Sequence, residues 1–137
     1  MRAWLALVVL AAAGPVFGAD SDCGSALPAA ARQQVAGAGW VVAWAPSRWP
    51  IPVGQHFSLQ VQLCADAGRA LPTALRVDAD MPAHRHGMNY RSTVKDLGQG
   101  RFQAEGLLFH MPGRWRVRFD LGQGAQAVRL DQELDVR

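Results

Sequence analysis

His56-Phe57-Ser58-Leu59-Gln60-Val61-Gln62-Leu63-Cys64 alternates apolar and polar side chains without a slip. Phe57, Leu59, Val61 and Leu63 fall on one side, and Ser58, Gln60 and Gln62 on the other. Successive strand residues point to opposite faces, so the stretch reads as a β-strand with one face buried. The same period recurs downstream. Leu75, Val77, Ala79 and Met81 alternate with Arg76, Asp78 and Asp80. Trp115, Val117, Phe119 and Leu121 alternate with Arg116, Arg118 and Asp120. Val128, Leu130, Leu134 and Val136 repeat the pattern, with a polar lapse at Gln132. Weaker strand patterns cover 40–45, 90–96 and 100–109.

Turn-forming residues separate these runs: Pro46 to Gly54, Ala67-Gly68-Arg69, Leu97-Gly98-Gln99-Gly100, Pro112-Gly113 and Gly122-Gln123-Gly124. About seven short strands and no long helical period predict an all-β fold, an antiparallel sandwich whose two sheets share one core. A small closed barrel is the alternative. Residues 20–39, rich in Ala, Gly and Ser, read as a lead-in, with a short helix expected over 29–35 after Pro28. The sandwich itself is expected over 40–137.

The first 19 residues read as a secretory signal peptide. Arg2 supplies the positive start, 3–13 are apolar, Gly14-Pro15 breaks the run, and Gly18-Ala19 offers a small-residue cleavage point. The apolar run falls short of the roughly 20 residues needed to span a bilayer. Removing residues 1–19 from the 137 leaves 118, enough for one domain with a real core. Only Arg2 is lost among the charges, so the mature balance is 13 basic against 11 acidic. The basic residues are scattered, which leaves no footprint for nucleic acid. Arg114, Arg116 and Arg118 alternate, as on one solvated strand face. In an exported chain the pair Cys23 and Cys64 reads as a disulfide, worth roughly 4 kcal/mol by loop-closure entropy. A periplasmic or secreted location follows.

The chemistry concentrates in two segments, Met81-Pro82-Ala83-His84-Arg85-His86-Gly87-Met88 and His110-Met111. They hold six of the mature chain's seven histidines and methionines; His56 stands apart at a strand start. Thioethers suit Cu(I) and imidazoles serve both Cu(I) and Cu(II), so the combination points to copper; zinc gains nothing from methionine. His84, His86 and Met88 lie at i, i+2 and i+4, on one side if the segment is extended, and His110 would complete the shell. Met81 and Met111 are further candidates, although Met81 also continues the inward series Leu75, Val77, Ala79. A solvated loop without metal accounts for the same residues. No nucleophile elbow, phosphate loop or His-Glu-x-x-His motif occurs, and nothing marks Ser92 and Thr93 as nucleophiles, so an enzyme is not expected.

The two motifs, Met81 to Met88 and Gly106-Leu107-Leu108-Phe109-His110-Met111-Pro112-Gly113-Arg114-Trp115, resemble the YtkA-like/FixH-like family of exported or membrane-anchored bacterial domains. Val94 to Phe102 looks like that family's connecting strand and turn, and the resemblance covers roughly residues 54–121. It implies an immunoglobulin-like sandwich, with some relatives linked to copper handling or to assembly of respiratory cytochrome oxidases. Carried over residue by residue, it implies His84, His86, Met88 and His110 as ligands. The chain lacks the transmembrane anchor that FixH carries, which favours a free periplasmic copper carrier or chaperone over membership of an oxidase-assembly complex. Its partner would then be a metal-recipient protein. A metal-independent module docking onto an exported or respiratory membrane complex is the second expectation. A small organic ligand between the sheets is a third.

Overall fold

The computed structural model describes residues 22–137, so the expected signal peptide lies outside the described residues. Nine strands form: β1 Gln33–Gly37, β2 Trp40–Pro46, β3 His56–Ala65, β4 Leu75–Met81, β5 His86–Gly87, β6 Thr93–Gly98, β7 Arg101–Leu108, β8 Gly113–Leu121 and β9 Val128–Val136. They make a five-stranded sheet in the order β1-β2-β3-β7-β6 and a four-stranded sheet in the order β5-β4-β8-β9. Every pairing is antiparallel. Two open sheets make this a sandwich, not a closed barrel.

The strand order is that of an immunoglobulin-like domain. β2-β3-β7-β6 take the places A-B-E-D, and β4-β8-β9 take C-F-G. β5 extends the second sheet beyond β4, and β1 extends the first beyond β2. These two short edge strands are the excess over the expected seven.

The alternating runs behave as the period requires. Phe57, Leu59, Val61 and Leu63 of β3, Val77, Ala79 and Met81 of β4, and Trp115, Val117 and Phe119 of β8 all enter one buried cluster. Trp44 on one sheet lies 5.9 Å from Phe119 on the other, ring centre to ring centre. The space between the sheets is filled by such side chains, including Trp44, Trp115, Phe102 and Phe109.

The lead-in differs from expectation. Pro28 starts a turn closed by the Ala31 N–H on its carbonyl at 3.1 Å, and Gln33–Gly37 is a strand, not a helix. The reason is tertiary. Ala38 (φ 52°) and Gly39 (φ 78°) form a two-residue turn whose twist matches antiparallel strands, and it folds 33–37 onto β2. The Cys23–Cys64 disulfide, with Cα atoms 5.9 Å apart, clasps the preceding segment to β3.

The outer face of the second sheet is an ionic ladder, so the β8 arginines are paired across strands instead of simply solvated. Arg116 Nε donates to Asp80 Oδ1 at 2.8 Å. Arg118 reaches Asp131 at 3.2 Å and Asp80 at 3.5 Å. Arg129 Nε reaches Asp120 at 2.6 Å. The Arg116 hydrogen bond is the chief reason that the Asp80 carboxyl is held below its ordinary range, against the opposing effect of burial. Arg129 does the same for Asp120.

Candidate metal centre

β5 is only two residues long, and it is reached from β4 through a tight turn. The backbone N–H groups of His84 and Arg85 donate to the Met81 carbonyl at 3.0 and 2.9 Å, and Arg85 sits at φ 55°. The segment is thus extended only from His86 onward, not throughout as the i, i+2, i+4 spacing assumed. Met88 N then donates to Ala79 O at 3.2 Å, which holds the chain against the β4 edge. The second motif enters from the other side, in the short connection between β7 and β8 that holds His110 and Met111.

This folding brings three histidines into a row. The His86 ring lies 5.7 Å from His84 and 5.0 Å from His110, centre to centre. A ligating nitrogen about 2.0 Å from a metal puts its ring centre about 3 Å away, so two imidazoles sharing one ion have centres about 5 Å apart. The observed spacings are of that order. Among the described residues there is nonetheless no ready group of three or more His, Cys, Asp or Glu placed to hold a metal ion.

The row is graded in exposure: His84 is exposed, while His86 and His110 are half-buried. His110 rests edge-on against the fully buried Trp115 at 5.4 Å, and Trp115 stacks on Phe109 at 4.5 Å. The Trp115 indole N–H donates to the Met111 carbonyl at 3.0 Å. The connection between β7 and β8 is therefore pinned by the core.

Two nitrogens bear on coordination. His86 Nδ1 lies 3.2 Å from Gly87 O. A carbonyl oxygen only accepts, so the proton of the neutral ring sits on Nδ1, leaving the Nε2 lone pair free. His110 Nδ1 is buried and has no hydrogen-bond partner among the described residues. Buried polar atoms nearly always have one, so this nitrogen marks a place where a group would be satisfied by a ligand.

The methionines divide. Met88 and Met111 pack on the core from the rim and stay half-buried. Met81 is 1 % exposed, a core side chain against Gly113. Ser92 is occupied in binding the Val77 carbonyl. His56, set aside in the sequence, stands at the same end of the sandwich as the row: it pairs with Leu108, two residues before His110, and its ring meets Tyr90 edge-on at 4.8 Å. Only strand pairing reveals that proximity. No helix among the described residues is long and apolar enough to cross a membrane.

No family model matches the chain, and no curated protein matches it. Among solved structures, it is similar to the crystal structure of a DUF4426 family protein from Pseudomonas aeruginosa PAO1. The TM-score is 0.49 at 10% identity, covering 80% of this chain and 99% of that one. Strand order and ring spacing by themselves define an immunoglobulin-like sandwich with a histidine row at one end.

Proposed function

We propose that the protein is an exported copper-binding carrier, related to the YtkA-like/FixH-like domains, and not an enzyme. The observation that carries this reading is the placement of His86 between His84 and His110, with the buried Nδ1 of His110 lacking any other partner. The donor set fits the ion. His84, His86 and His110 would supply imidazoles and Met88 a thioether, a combination suited to copper in either oxidation state. Met111 stands close enough in sequence to His110 to act in its place or beside it. Bound copper would supply the cargo, and the chain would supply graded access: His110 anchored on Trp115, His84 free to let go. Delivery to a periplasmic recipient would proceed by ligand exchange at the exposed turn, with no bond-making chemistry.

Copper titration of the purified protein against a competing chelator, under reducing and then oxidising conditions, tests the reading. One tightly held ion per chain is expected. His84→Ala with His86→Ala should abolish tight binding and leave the urea midpoint within error. Unchanged affinity in that double variant would overturn the ligand assignment.

A further inference from the structure

Three connections meet at the histidine end: residues 46–56, 82–92 and 109–112. They are tied together by contacts already in hand. Gly54 N donates to Phe109 O at 2.8 Å, His56 lies against Tyr90, and His86 lies beside His110. The chain has 11 acidic residues, and none falls in these connections, nor does a lysine; at the end of β9, Asp135 lines the same hollow as Trp49 and is paired with Arg114 at 3.3 Å. What they do carry is Arg48, Arg85, Arg91 and all four histidines. The three arginines are exposed, Arg48 donating to Gln55 Oε1 at 2.6 Å, and among the described residues none belongs to the ion pairs, which gather on the outer face of the second sheet and its margins. Among the described residues, the two exposed large aromatics, Trp49 at 45 % and Tyr90 at 48 %, also lie at this end.

Trp, Tyr and Arg are the residue types that dominate binding energy at protein interfaces, and Lys, Asp and Glu are depleted there. An exposed guanidinium without a carboxylate of its own is free to take one in a bidentate pair. We propose that this end is a docking face for an acidic protein surface, with Trp49 and Tyr90 as apolar anchors and Arg48, Arg85 and Arg91 as its charge complement. Resting on the copper reading, the partner is the metal acceptor, with carboxylates set around its own His/Met ligands. The loaded carrier then bears one or two more positive charges than the empty one, so docking is favoured before transfer and release after it. Three arginines, Arg48 on one connection and Arg85 and Arg91 on another, are a thin charge for a lipid surface, where each cation contributes only about 1 kcal/mol.

The test uses the metal-free protein, labelled for amide NMR, and two synthetic peptides with the same His/Met core. One is flanked by aspartates, the other by lysines. Binding of the aspartate peptide about tenfold tighter at ~20 mM salt, with shifts centred on Trp49, Arg85 and Tyr90, is expected. The advantage should vanish at ~300 mM salt and in the variant Arg48→Gln/Arg85→Gln/Arg91→Gln. Equal binding of the two peptides, shifts elsewhere on the surface, or a salt-independent preference would overturn the proposal. So would binding to phosphatidylglycerol vesicles without binding to the aspartate peptide, which would assign the face to a membrane. No copper enters the titration, so failure of the copper reading leaves this result intact and is seen separately.

Discussion

The indole N–H of Trp44 donates to Gln132 Oε1 at 2.9 Å, across the interior from one sheet to the other. Trp44 is fully buried, and Gln132 stands where the β9 alternation calls for an apolar residue. The lapse in the pattern and the buried polar atom account for one another.

Removing the acceptor alone should therefore be costly. Gln132→Leu strands a buried donor, and a loss of about 1–3 kcal/mol is expected in urea unfolding. Trp44→Phe with Gln132→Leu should recover part of that loss, since neither partner is then unmatched. Equal stability of Gln132→Leu and the parent would show that the bond contributes nothing.

The disulfide should matter more than any single contact. Cys23→Ser with Cys64→Ser, or reduction, opens a closure with a sequence separation of 41. A loss of about 2–5 kcal/mol is expected, read as a lower denaturant midpoint with and without reductant. A midpoint unmoved by reductant would mean that β1 and its turn hold the N-terminal segment unaided.

Stability should fall in acid through Asp80 and Asp120. Both carboxyls titrate below their ordinary value of 3.8 in the folded protein. The unfolded chain thus binds protons first as pH drops. The stability they contribute is present above that value and is lost as pH falls through the folded values. Asp80→Asn should flatten the acid limb of a stability-versus-pH curve and cost about 1 kcal/mol at neutral pH. An unchanged acid limb would count against the Arg116 pairing as its source.

Within the copper reading, Met88→Leu keeps the volume and removes the thioether. Cu(I) affinity should fall about tenfold or more while Cu(II) affinity stays within about threefold, because imidazoles serve the oxidised ion without it. Competition assays in both oxidation states would show this, and an equal effect on both would exclude Met88 as a soft ligand.

Much of the sandwich was legible because one buried face imposes a period of two. Strands β3, β4, β8 and β9 carry that period and lie where it puts them. β1 was not legible. Gln33-Gln34-Val35-Ala36-Gly37 offers little alternation, and the alanines before it favour helix locally. Its strand state comes from the Ala38-Gly39 turn and from β2, neither of which a local reading weighs. His110 and Met111 lie between β7 and β8, outside any strand, so a period of two says nothing of how they face. Both motifs do meet, since their histidines lie side by side, but the place of His56 depended on its pairing with Leu108.

Because β5 stops at Gly87, most of β4 lies on the rim of its sheet. Rims of this kind recruit strands from other molecules and seed aggregates. Here Ser92 holds the Val77 carbonyl, Asp78 accepts from the Ala79 N–H at 2.8 Å, and Met88 N occupies the Ala79 carbonyl. Side chains and one loop amide stand where a further strand would pair at Val77 and Ala79, so copies of the chain that collide along this rim find part of the ladder already taken.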